Sequence, residues 1–262
     1  MRWAAVAALA SCLLHAQTAK PGDGVPWTWQ KELALGHAME ARVAAQAPPL
    51  QDARATAYIE AIFIRLRAQS PVVHPMTLHV RRSEEAFAEA LPGGSVYLST
   101  GFIRSLQDES ELAGVLAHEL AHYEVGFAHA NSGAMPTVML GCLFGKSAIA
   151  AFSGLSDALR DTELRANVAA LKYVRAAGYD PAGLLAFEFR RLYVRPALQR
   201  VLPAEDLIPL QQEIERETLT RELVMNTSEF QEIREAMEPA AERRSVNNQR
   251  PHLLLLKPQA SH

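Results

Sequence analysis

The stretch LAGVLAHELAH at residues 112–122 decides how this chain is organised. Its leucines and valine recur at helical spacing, which predicts an apolar helix over residues 108–125. On that helix His118 and His122, four residues apart, lie one turn above each other and can bind one metal ion. Glu119 follows the first histidine and can take a proton from a metal-bound water. Zinc accepts such ligands and keeps an open position in catalytic sites, so we predict one Zn²⁺ per chain with Glu119 as general base.

A third protein ligand is needed, and two residues are candidates. His129 lies three residues after a glycine downstream of the motif, but one residue out of register with the metzincin pattern. Glu163 lies on a later predicted helix, four residues before Asn167 and on the same face. A glutamate ligand matches the His₂Glu zinc sites, and Asn167 can orient the distal N–H of a ligating histidine. We therefore favour Glu163 over His129 as the third ligand.

Composition narrows the class of protein. The 262 residues are 49% hydrophobic and 21% charged, which excludes a disordered, collagen-like or polytopic membrane chain. The 26 basic and 29 acidic residues give a net charge of −3 without a long basic run, so we expect no nucleic-acid partner. The two cysteines, Cys12 and Cys142, exclude a disulfide framework. A polypeptide substrate is compatible with all of these observations.

The amino-terminal residues predict export. Arg2 precedes an apolar run at residues 3–14 that is too short for a membrane-spanning helix, which needs about 20 residues. Residues 1–16 therefore read as a signal peptide, and Leu-Ala-Ser-Cys ending at Cys12 offers the alternative of a lipoprotein signal. We expect a periplasmic or envelope-associated bacterial protein. Peripheral membrane contact stays open through a lipidated Cys12 or the apolar residues 135–155, for which a buried hairpin is the favoured alternative.

The remaining pattern is predominantly helical with a small sheet, so the predicted fold class is α+β. Alternating apolar residues predict strands at 77–81 and 95–99, while residues 86–91 are ambiguous and 126–133 read as a loop. The predicted regions are a linker and helix at 17–49, a core at 50–195 and a helical extension at 196–262.

Four stretches, in order, resemble peptidase family M48, a group of gluzincin-type zinc proteases. They are LPGGSVYLSTG at 91–101, ESELAGVLA leading into HELAH at 109–122, E-x-x-A-N at 163–167 and AGYDP at 177–181. The resemblance implies a zincin-like core with zinc bound by His118, His122 and Glu163. It also implies that residues 95–98 form an edge strand. A peptide would then bind along that strand, at Gly94, Ser95, Val96 and Tyr97. Gly93 and Gly94 would let the backbone pass close to the metal.

The chain departs from the family pattern in two places. Asn167 stands where the family usually has aspartate, and Asn226-Thr227 stands where relatives often have His-Pro, with Glu232 in place of a following arginine. The favoured function is a zinc endopeptidase that cleaves unfolded or misassembled envelope proteins by zinc-bound water and a glutamate base. The alternatives are a metal-binding but inactive relative that acts as a chaperone or interaction module, and a metal-free helical protein with a chance motif.

Overall fold

A computed structural model describes residues 28–130, 153–194, 202–216 and 223–237. The predicted signal at 1–16, Cys12 and most of the apolar stretch 135–155 lie outside these residues. The helices and strands follow in chain order: α1 Trp29–Gln46, α2 Ala53–Arg67, β1 Thr77–Arg81, β2 Ala88–Leu91, β3 Ser95–Ser99, α3 Thr100–Ser105, α4 Glu109–Ala130, α5 Ser153–Ala176, α6 Ala182–Val194, a 3₁₀ turn Ala204–Leu207, α7 Ile208–Arg216 and α8 Ser228–Ala236. The predicted α+β class, mostly helical with a small sheet, is confirmed.

The central helix α4 carries the HExxH motif and has its first turn capped. The Asp108 carboxylate accepts the N–H of Glu111 at 2.9 Å, which satisfies a donor that the helix leaves unpaired. The helix continues to Ala130, so the predicted loop at 126–133 is wrong over residues 126–130. A single glycine at position 126 does not end a helix when no proline follows it at once.

The sheet has three strands in the order β1-β3-β2. β3 pairs in parallel with β1 and antiparallel with β2, and all five of its residues are buried. The prediction of an edge strand at residues 95–98 is therefore wrong, because both sides of β3 are already used by neighbouring strands. The expectation of an edge strand came from the family resemblance. Residues 86–91, which include β2, are ambiguous in the sequence because Ala-Glu-Ala-Leu lacks a clear alternating pattern.

The turn between β2 and β3 uses glycine for conformation and space. Gly93 and Gly94 have φ of 85° and 93°, which side chains other than glycine rarely adopt. A Cβ on Gly94 would lie 2.2 Å from the Pro75 carbonyl oxygen, and one on Gly93 would lie 3.1 Å from Leu33 of α1. These glycines therefore let the turn pack against α1 and the segment before β1.

The core forms around α4, which packs against α5, α6 and β2. Leu112, Leu116 and Leu120 of α4 are fully buried, as the helical spacing predicts. Leu207 and Phe230, from the carboxy-terminal part of the chain, belong to the same hydrophobic core. None of the described helices combines the length and the apolar character that a membrane span requires.

Candidate metal centre

Three side chains from two helices converge in the buried interior. His118 and His122 come from α4, where a spacing of four residues stacks them, and Glu163 comes from α5. Their ligand atoms all lie within 4.8 Å of one another, and all three residues are buried. The two Nε2 atoms are 3.0 Å apart. His118 Nε2 lies 3.4 Å from Glu163 Oε2, and His122 Nε2 lies 3.7 Å from Glu163 Oε1.

These distances fit a zinc ion. A tetrahedral ion with bonds of about 2.0–2.1 Å separates its ligand atoms by about 3.3 Å, and the three observed separations bracket that value.

The charges of the buried groups around these ligand atoms also fit a divalent cation. Glu119, Glu163 and Glu188 are buried close together, and Arg191 balances one of their three negative charges. A divalent cation between the ligand atoms would balance the other two, whereas uncompensated buried charge is costly.

His118 is oriented by Asn167, four residues after Glu163 on α5. Asn167 Oδ1 lies 2.8 Å from His118 Nδ1 and accepts the proton on that nitrogen. The lone pair of His118 Nε2 is therefore directed toward His122 and Glu163. Asn167, which the sequence predicts to orient a histidine ligand, contacts His118 through an uncharged amide oxygen.

Glu119 lies beside the ligand group and is held by the sheet. Its Oε2 accepts the main-chain N–H of Ala90 in β2 at 2.8 Å, and only 4% of the residue is exposed. Glu119 is on α4, and β2 packs directly against this helix. The carboxylate that the motif predicts as general base therefore has a fixed position between the histidines and an edge strand.

Sequence reasoning missed Glu188 and Arg191, both on α6. Glu188 is completely buried, and its Oε1 lies 3.6 Å from His118 Nδ1. Arg191 Nη2 donates to Glu188 Oε2 at 2.5 Å and to Glu163 Oε2 at 2.9 Å. Burial lowers the pKa of Arg191, but the charges of Glu188, Glu163 and Glu119 outweigh it, so the pKa lies above its usual range. A sequence signal existed, because Glu188 lies on the same helical stripe as the buried Leu184.

The segment in which this chain departs from the family's His-Pro contacts the start of α4. Thr227, in the segment that stands in for the family's His-Pro, donates to Glu109 and lies 2.9 Å from the Tyr58 hydroxyl, and it caps α8. Arg234 donates to the carbonyl of Leu106 at 2.8 Å. These residues hold α8 against the start of α4. The side chain of His129 lies outside the described residues.

Comparison with known proteins identifies the family of this chain. The model of peptidase family M48 matches residues 49–225. A beta-barrel assembly-enhancing protease of Yersinia pestis is 34% identical over 115 residues, covering 42% of this chain and 24% of the relative. The protein of that name from Escherichia coli K12 is 25% identical over 178 residues, covering 60% of this chain and 37% of the relative. The chain thus matches well under half the length of these relatives. Since the family model covers most of the chain, this protein belongs to peptidase family M48, a family of metallopeptidases.

Proposed function

We propose that this chain is a zinc-dependent endopeptidase that hydrolyses unfolded or misassembled proteins of the bacterial envelope. The observation that carries the proposal is the buried group of His118, His122 and Glu163 at zinc-ligand separations, with Glu119 fixed beside it. The envelope substrate is inferred from two relatives that are named beta-barrel assembly-enhancing protease, and from the export signal predicted at residues 1–16.

The residues of the site have separate roles in peptide hydrolysis. Zinc held by His118, His122 and Glu163 would supply Lewis acidity, which lowers the pKa of water and polarises the scissile carbonyl. Glu119 accepts the proton of the attacking water and passes it to the departing amine. Its hydrogen bond to the Ala90 N–H keeps the carboxylate pointed at the reaction centre. Asn167 keeps the ring of His118 in the orientation that presents Nε2.

A substrate peptide would bind along β2 rather than along β3. β2 is an edge strand of the sheet, and it is the strand that contacts Glu119. The Phe87 carbonyl accepts the Ser99 N–H, so alternate residues 87, 89 and 91 face β3, and the main-chain groups of Ala88 and Ala90 face away from it. Because Glu119 holds the Ala90 N–H, a substrate peptide would pair with this outer side at Ala88, which brings its scissile bond next to Glu119.

The test combines metal content with proteolysis. Purified wild type, Glu119→Gln and Glu124→Gln are analysed for zinc per chain and for cleavage of casein. Glu124 lies on the same helix and pairs with Tyr173, so it controls for loss of a carboxylate from α4. We expect about one zinc per chain in all three proteins, and a loss of activity on the order of 10²-fold or more in Glu119→Gln alone. Absence of zinc from the wild type would refute the site.

A metal-binding but inactive relative is the second candidate function. It is favoured by Asn167, because an amide oxygen leaves the imidazole of His118 without a directly hydrogen-bonded negative charge. In that case the same three proteins would hold zinc and none would cleave casein. Suppression of aggregation of an unfolded envelope protein, equal in wild type and Glu119→Gln, would then identify a chaperone.

Export is part of the proposal and has its own test. Cleavage by signal peptidase near residue 16 would start the mature chain at Gln17, whereas lipoprotein processing would leave a lipid on Cys12. The mass of the amino-terminal peptide from the cell envelope distinguishes the two routes. An unprocessed chain starting at Met1 in the cytoplasm would contradict export.

A further inference from the structure

We propose that Glu188 is a positioning residue that supplies the negative charge beside His118 which Asn167 does not carry. Arg191 links this carboxylate to the metal ligand Glu163. The inference rests on the proposed metal site. It assigns a function in metal binding to a pair of α6 residues that the HExxH and E-x-x-A-N patterns do not include.

Burial and geometry place Glu188 at the histidine. The residue is completely buried, and its Oε1 lies 3.6 Å from the same Nδ1 of His118 that Asn167 contacts at 2.8 Å. Within the described part of the chain this Oε1 has no hydrogen-bond partner. A buried carboxylate oxygen is retained when it faces a positive group, and the edge of an imidazole that donates its electrons to a cation is such a group.

The two acceptors act on one nitrogen in different ways. Asn167 Oδ1 makes the short hydrogen bond and fixes the tautomer and ring orientation of His118. Glu188 contributes charge, which acts through space and does not require a second hydrogen bond at that distance. Together they do what one carboxylate does in a carboxylate–histidine–zinc arrangement, where the anion raises the basicity of the ligand.

Arg191 sets the charge balance of the cluster. It bonds both Glu163 and Glu188, at 2.9 Å and 2.5 Å, and so fixes the ligand carboxylate relative to the carboxylate beside His118. An aspartate at position 167 would add a fourth carboxylate to Glu119, Glu163 and Glu188. Arg191 and a divalent ion would then leave one negative charge uncompensated in the interior. The neutral side chain of Asn167 and the charged side chain of Glu188 are therefore complementary, because together they keep the buried charge balanced.

This complementarity can be tested by zinc affinity, measured by competition with a chromophoric chelator. Glu188→Gln keeps the side-chain volume and removes the charge, and we expect zinc affinity about 10- to 100-fold lower. Adding Asn167→Asp to Glu188→Gln returns the charge to His118, and we expect affinity within about threefold of wild type. Glu111→Gln is the matched control, because Glu111 is buried on α4 and pairs with Arg190 of α6 away from the histidines. It should lower the melting temperature and leave zinc affinity unchanged.

The outcomes separate this inference from the proposed function. Wild type without zinc affinity would refute the metal site itself. Zinc affinity equal in wild type and Glu188→Gln, or no recovery in the double variant, would overturn the role of Glu188 alone. If Glu188→Gln does not fold by circular dichroism, the double variant is measured in its place. Failure of the double variant to fold would show a purely structural ion pair and would also overturn the proposal.

Discussion

The contact between α4 and α6 depends on Gly114, which makes Gly114→Ala an informative perturbation. A Cβ at this position would lie 2.6 Å from the Leu184 Cα and 2.8 Å from its main-chain nitrogen. Backbone atoms cannot rotate away, so α6 must move. Gly114 precedes His118 by four residues and Leu184 precedes Glu188 by four, so both pairs lie on the facing stripes of the two helices.

The size of the effect follows from the overlap. Non-bonded carbons approach to about 3.5–4.0 Å, so α6 must shift outward by about 1 Å. Overpacking of this kind costs about 1–3 kcal/mol, while alanine gains up to about 1 kcal/mol over glycine within a helix. We expect a net loss of about 1–2 kcal/mol and a melting temperature about 2–8 °C lower. The shift also carries Glu188 away from His118, so zinc affinity should fall.

The assay is thermal unfolding of metal-free protein together with zinc titration. Gly183→Ala is the control, because the new Cβ would lie 2.3 Å from Ser110, at the same interface between α4 and α6. Ser110 precedes His118 by eight residues, which is about 12 Å along α4, so this clash lies farther from the metal ligands. We expect Gly183→Ala to destabilise the fold similarly and to change zinc affinity less. A Gly114→Ala protein that melts at or above the wild-type temperature would refute the close contact of these helices.

Three further predictions concern the metal, the base and a buried tyrosine. Removal of zinc by a chelator should lower the free energy of unfolding by about 4 kcal/mol relative to protein in free zinc at 1,000 times the dissociation constant. The melting temperature measures this loss. Ala90→Pro removes the N–H that bonds Glu119 on the outer side of an edge strand, so the rate of casein cleavage should fall about tenfold while zinc content stays constant. Burial and the charge of Glu109 raise the pKa of Tyr179 to about 12. Because the unfolded chain ionises near pH 10, stability falls as pH rises from about 10 to 12, and Tyr179→Phe should weaken this dependence in urea titrations.

Each of these has a contrary outcome. Unchanged melting on zinc removal would mean that the buried histidines and carboxylates do not share an ion. A fully active Ala90→Pro protein would show that the main chain of β2 does not hold Glu119. An alkaline stability profile of Tyr179→Phe identical to that of wild type would show that this hydroxyl is not protected by the fold.

The parts that sequence predicted correctly are those with a strong local period. β1 and β3 were predicted at 77–81 and 95–99, and the buried leucines of α4 follow the helical repeat. β2 has four residues, two of them alanine, and its strand geometry comes from pairing with β3 and contact with α4. The edge position of residues 95–98 was implied by the family resemblance, and it is wrong because β3 pairs with a strand on each side.

In the site, too, some residues are related by local sequence spacing and others only by tertiary packing. This distinction determines how the departures from the family pattern are interpreted. His118, His122 and Glu119 share one motif, and Asn167 lies one turn from Glu163, so sequence spacing alone relates these residues. Glu188 comes close to His118 through the packing of α6 against α4, and Gly114 leaves room for that close approach. By the motif alone, Asn167 lacks the negative charge that an aspartate at this position would carry. In the packed structure, the neutral side chain of Asn167 keeps the number of carboxylates in the buried cluster at three, which Arg191 and one divalent ion neutralise. Activity should therefore track the charge of the whole cluster rather than the identity of residue 167.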